Sequence, residues 1–149
     1  MFAYCTSLTS APYLPATDLM NICYWHMFYG CNKLTDAPQI AATTLAPSSC
    51  QEMFKNCTSL SSISVKFTDW DEGENATTNW VNSVASAGEF TKPIALTAIY
   101  NNSHIPTDWR IRVADQPLTF TAKSASNAIC LSSIGSPDAI TLSYSKNNG

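Results

Sequence analysis

Charge is scarce in this 149-residue sequence: 13% of the residues are Asp, Glu, Lys or Arg, the net charge is −3, and the eight Lys and Arg are scattered rather than blocked. Nothing in that distribution forms an electrostatic footprint for a phosphate backbone, so nucleic acid is not an expected partner. Long apolar runs are missing as well, and no membrane span is expected. Met1 to Leu14 mixes Ser, Thr, Tyr and Pro where a secretion signal needs basic residues and then a continuous apolar stretch, so a mature or excised fragment is the expectation. Histidine occurs only as His26 and His104. A hydrolytic triad would need one of them beside a nucleophile and an orienting carboxylate, and no such grouping is visible, so no enzyme is expected. There is no C-x-x-C pair among the six cysteines. Neither a zinc site nor any cofactor is expected.

What the chain does have is repetition. A length of 149 residues allows one full core or two small ones, and the first part of it recurs every 26 residues. Met1-Phe2 returns as Met27-Phe28 and Met53-Phe54, Cys5 as Cys31 and Cys57, and Leu8 as Leu34 and Leu60. Ala11-Pro12 matches Ala37-Pro38, Leu14 matches Ile40, Ala16-Thr17 matches Ala42-Thr43, and Leu19 matches Leu45, while Cys23 and Cys50 correspond with a slip of one. One coil cannot bury its own apolar face, so like residues are expected to stack on like in ladders of Met, Phe, Cys and Leu.

Within a coil, Leu19, Cys23 and Met27 lie four apart with Phe28 beside them, which predicts one stripe of a helix. Thr17 or Asp18, and Thr43 or Thr44, stand where N-caps belong, and Gly30 and Asn56 where a left-handed residue ends the helix. Leu34 to Ala37 can run as a short strand before Pro38 halts it.

The units Met27-Phe28-Tyr29-Gly30-Cys31-Asn32-Lys33-Leu34-Thr35-Asp36-Ala37-Pro38 and Met53-Phe54-Lys55-Asn56-Cys57-Thr58-Ser59-Leu60 resemble BspA-like leucine-rich repeats. The MF-x-x-C-x-x-L signature occurs three times in register over roughly the first 65 residues. The resemblance implies a right-handed solenoid with short parallel strands on one face, and adhesion or ligand binding of the kind found in surface proteins of Bacteroidetes and in some of their phages.

After Leu60 the period stops. Ile63, Val65 and Phe67 alternate as a strand, and Asp69 to Asn75 is a polar loop, whose carboxylates Asp69, Asp71, Glu72 and Glu74 lack the spacing of a calcium loop. Thr77 or Thr78 can cap a helix bearing Trp80, Val81, Val84 and Ala85, with Gly88 to end it. Phe90, Ile94 to Ile99 and Ile105 to Trp109 read as strands and a turn, an arrangement similar to the segment that closes arrays in the same family. From Pro117 on, 118–122, 128–131 and 139–145 are β-prone runs, and Asn147-Asn148-Gly149 is a hairpin signal without a returning strand. The expected fold is therefore an α/β solenoid: leucine-rich-repeat coils of 26 residues, each a short parallel strand plus a helix, over 1–66, an α+β C-terminal cap over 67–113, and the start of a β-rich domain over 114–149.

Equal spacing places Cys5, Cys31 and Cys57 at one point of successive coils, where a small buried side chain is wanted; a disulfide involving Cys23 or Cys50 stays open beside that reading, and Cys130 lies alone in a β run. Aromatic residues are the functional lead. Tyr4, Tyr13, Tyr24, Trp25 and Tyr29 concentrate in the first two coils, and Trp70, Tyr100 and Trp109 in the cap. Tyr and Trp join apolar area to a hydrogen-bonding tip, as binding surfaces for sugars and proteins require. Tyr13, Tyr24, Trp25 and Tyr29 are the candidate ligand-binding residues. Tyr13 and Trp25 lead, because Gln39 and Gln51 replace them one coil later and a core position would have repeated. The expected function is a non-catalytic binding or adhesion module for a protein or glycan at the cell surface or outside the cell. The alternative is a structural or receptor-binding component of a virion or other large assembly, with other chains covering the open first coil.

Overall fold

The computed structural model describes residues 1–70 and 74–114. The β-prone runs 118–122, 128–131 and 139–145, Cys130, and the loop residues Asp71 and Glu72 lie outside the described residues.

Successive coils do stack, but the α/β solenoid with a helix in each repeat is overturned: among the described residues no α-helix forms, and the extended elements are three short strands. The segments read as helices, 20–31 and 46–57, are ribbons of consecutive turns, and so is 75–83 in the expected cap. Their hydrogen bonding explains why. The N–H groups of Cys23, Trp25, Met27, Tyr29 and Cys31 turn back to carbonyls three residues earlier, while those of Ile22, Tyr24, His26, Phe28 and Gly30 donate to Pro47, Ser49, Gln51, Met53 and Lys55 of the next coil. The same alternation links Ser48, Cys50, Glu52, Phe54 and Asn56 to Glu74, Ala76, Thr78, Trp80 and Asn82. A helix would spend every N–H inside its own coil. The ribbon spends half of them between coils.

Directing alternate N–H groups outward requires a positive φ at every fourth residue: Ile22, His26 and Gly30, then Ser48, Glu52 and Asn56, then Asn75, Asn79 and Ser83. Gly and Asn take that conformation readily, whereas a β-branched residue such as Ile22 holds it at a cost of about 1–2 kcal/mol. Gly30 and Asn56 are thus left-handed, as expected, but inside a ribbon and not at a helix end. The backbone also settles the slip between cysteines, since Tyr24 N–H bonds Ser49 O and so stands level with Cys50.

On another side of the coils the chain is extended. Bridges join Ser10 to Asp36 and Asp36 to Ser62 in parallel. From there β1 (Ser62–Ser64), β2 (Glu89–Lys92) and β3 (Arg110–Val113) form a parallel sheet in the order β1-β2-β3, with Ser62 opposite Glu89 and Glu89 opposite Arg110. The strand expected at Leu34 to Ala37 shrinks to the bridge at Asp36; of the segments read as strands and a turn, Phe90 lies in β2, Ile94 to Ile99 forms no strand, and Ile105 to Trp109 carries a turn before β3. Gly88, assigned by spacing to a helix end, serves a close approach instead: a Cβ there would sit 2.3 Å from Ser61 O and 2.8 Å from the Trp109 ring.

The core is built of ladders. Phe2, Phe28 and Phe54 stack at centroid distances of 5.5 and 5.7 Å, and Trp80 follows Phe54 at 5.9 Å. Leu34 and Leu60 are fully buried, as are Cys31 and Cys57, whose thiols donate to Phe2 O at 2.9 Å and Phe28 O at 3.0 Å. Cysteine suits that position because it is small and apolar yet carries a weak donor for a carbonyl in the preceding coil. The described cysteines are all free thiols. Indole N–H groups staple the last coils, with Trp70 donating to Thr97 O, Trp80 to His104 O and Trp109 to Ala85 O. Among the described residues no helix is long and apolar enough to cross a membrane.

Candidate ligand-binding surface

The ribbon geometry brings residues 26 apart into contact, and one such contact is polar. His26 Nε2 lies 2.6 Å from Glu52 Oε2, and Lys55 Nζ donates to Glu52 Oε1 at 2.9 Å. The hydrogen bond from Lys55, reinforced by that from His26 and by both charges, outweighs partial burial and holds the Glu52 carboxyl below the usual range for glutamate. The same bond raises the Lys55 ammonium above its ordinary value.

Aromatic rings cover this clasp. Trp25 lies nearly parallel on His26, centroids 4.0 Å apart and planes at 18°, and Tyr29 tilts against His26 at 4.9 Å and 48°. Tyr4, one coil earlier, packs on Tyr29 at 5.2 Å. Lys55 Nζ sits 5.7 Å from the Tyr29 centroid, and Asn56 Nδ2 donates to the Tyr29 hydroxyl at 3.2 Å. The result is a continuous strip, Trp25, His26, Tyr29 and Tyr4, backed by Glu52, Lys55 and Asn56. Its ends are open: Trp25 is 39% and Tyr4 70% exposed.

Two of the four residues expected to bind ligand, Trp25 and Tyr29, meet in this strip. Tyr24 does not, because its ring is in the core at 8% exposure, where burial first and the adjacent Cys23 and Cys50 second raise its hydroxyl pKa. Tyr13 is 73% exposed and joins none of the ring contacts among the described residues. Tyr4, His26, Glu52, Lys55 and Asn56 were not singled out as binding residues by sequence. The signal was present in the register: in a stack, the residue replacing His26 one coil later is the residue that touches it, so a change from His26 to Glu52 is a complementary pair rather than a variable surface position.

Elsewhere the chemistry is muted. Burial pushes the Cys57 and Cys50 thiols up to about 12, so neither supplies a thiolate near neutral pH. His104 pairs through Nδ1 with Asn101 Oδ1 at 2.8 Å and meets the Trp70 ring edge-on, beside a cleft of about 360 Å³ lined also by Asn75, Thr77 and Ser103. Among the described residues no group of three or more His, Cys, Asp and Glu could hold a metal ion. No family model, curated protein or solved structure matched this chain.

Proposed function

We propose that this chain is a non-catalytic binding module of a surface or secreted protein, of the BspA-like repeat kind that its MF-x-x-C-x-x-L units resemble, recognising a protein or glycan through the face of its turn ribbons. The observation that carries the reading is Trp25. A large apolar ring is left partly in solvent while His26 supports one face of it, and His26 is in turn held by Glu52, whose other oxygen accepts from Lys55. A ring fixed in advance loses little freedom on meeting a partner, which is how exposed aromatic residues come to dominate binding energy.

The test is surface plasmon resonance of the chain against mucins, extracellular matrix proteins and a glycan array, comparing Trp25→Ala with Tyr13→Ala. The reading expects a ligand whose affinity falls at least about tenfold in Trp25→Ala, a loss of about 1.4 kcal/mol. Wild-type affinity in that variant would remove the strip from the reading, and no bound ligand in any of the three sets would remove the reading itself.

A further inference from the structure

We infer that the strip from Trp25 to Tyr4 accommodates a neutral oligosaccharide of more than one sugar ring, with Trp25 and Tyr4 as separate stacking platforms. The inference rests on the binding-module reading above and deepens it by naming the ligand class.

Tyr4 supplies the independent observation. Its φ is 61°, and its ribbon position is the one filled by Gly30, Asn56 and Ser83 in later coils. The later coils hold the same conformation there without a ring, so the stack itself does not call for a tyrosine. Core packing does not call for it either, because Tyr4 is 70% exposed. An exposed aromatic ring that neither the backbone nor the core requires, in contact with Tyr29 and through Tyr29 and His26 with the Trp25 platform, is accounted for if the ring meets a ligand.

The chemistry of that ligand follows from what surrounds the rings. Lys55 is engaged by Glu52, and Glu52 by both Lys55 and His26, so the cluster's charges are matched among themselves rather than turned to an anionic partner. A nucleotide or an acidic sugar would meet the Glu52 carboxylate without a cation reserved for it. A quaternary ammonium calls for rings enclosing one point, yet here the rings lean on one another in a row. A flat sugar face bearing C–H groups fits an exposed ring face, and its hydroxyls suit the Tyr29 hydroxyl and the Asn56 amide at the strip's edge. Two rings, His26 and Tyr29, stand between the platforms, so occupying both takes a chain of sugars. The indole of Trp70, by contrast, offers no such platform, being 3% exposed with its N–H committed to Thr97 O.

The experiment titrates the chain calorimetrically with xylo-, cello- and manno-oligosaccharides of one to six units, and with oligogalacturonate as the acidic counterpart. At least one neutral series is expected to bind, with affinity rising at least about tenfold from one unit to the longest chain as the second platform fills. Trp25→Ala should abolish binding at every length, and Tyr4→Ala should remove only the gain with length. Tyr100→Ala, an exposed aromatic outside the strip, should bind as wild type, and unchanged far-ultraviolet spectra and melting temperatures keep the variants comparable. Oligogalacturonate binding as tightly as the neutral chains, affinity independent of length, or wild-type binding by Trp25→Ala and Tyr4→Ala would each overturn the inference. If no sugar binds while a matrix protein does so through Trp25, the inference falls and the binding-module reading stands.

Discussion

Glu52 shows how one side chain can serve both stability and the binding surface. Its carboxylate accepts from Lys55 and His26, residues on two different coils, and it occupies one of the positive-φ positions that direct the ribbon's hydrogen bonds. Because its pKa is lowered on folding, the folded state binds the proton more weakly than the unfolded state does. The stabilisation is therefore complete above the ordinary glutamate value of 4.5 and is lost as pH falls through the depressed folded value. Glu52→Gln should lower the melting temperature at pH 7, and should flatten the further fall that wild type shows over the acid interval below the ordinary glutamate value. Thermal melts of both proteins across that interval read the difference. Parallel acid limbs would mean that the clasp adds nothing to folding. The partial exposure of both partners, with side-chain accessibilities of 18% for Glu52 and 25% for Lys55, keeps the effect small.

At the scale of the element, the ribbon replaces the helix, and the reason lies in a coincidence of periods. Leu19, Cys23 and Met27, spaced by four, fit a helical stripe, and the same spacing fits a chain of turns in which every fourth residue is left-handed. The register itself was legible, since Phe28, Cys31 and Leu34 recur as Phe54, Cys57 and Leu60 because each must bury against its own copy. The conformation between those anchors was not, because Ile22, Ser48 and Glu52 carry no sequence preference for positive φ and are held there by inter-coil bonds. The candidate site was half legible for a related reason. Exposed Trp25 could be read from its failure to repeat, but the ring of Tyr24 next to it turns inward, as the alternation of the ribbon requires. Ile22 gives the sharpest test of the element. It is 58% exposed, so little burial offsets the strain of its φ of 63°. Ile22→Asn should therefore raise stability by about 1 kcal/mol in chemical denaturation, where the same change in a helix would lower it.

For the coil stack as a whole, strength depends on how many bonds join each pair of neighbours. Two backbone bonds, Phe2 N to Met27 O and Tyr4 N to Tyr29 O, tie the ribbon residues of 1–4 to the next ribbon, and one, Val81 N to Asn102 O, ties 75–83 to the segment that follows, whereas five tie 20–31 to 46–57 and five more tie 46–57 to 74–83. A stack in which each coil touches only its neighbours opens from its thinly bonded outer contacts, because breaking an inner contact means breaking more bonds for the same gain in chain freedom. The cysteine ladder reports that order directly. Cys31 Sγ is capped by Phe2 O in the weakly tied coil, and Cys57 Sγ by Phe28 O in the strongly tied one. Cys5 and Cys23 are exposed, while Cys31, Cys50 and Cys57 are buried. Alkylation with iodoacetamide under native conditions, read site by site by mass spectrometry, should modify Cys5 and Cys23 first and Cys31 next. Cys50 and Cys57 should react only at the rate of global unfolding, since burial holds their thiols protonated as well as covered. Cys57 reacting together with Cys31 would mean that the coils open as a single unit, and Cys57 reacting first would contradict the ladder on which the arrangement of the binding strip depends.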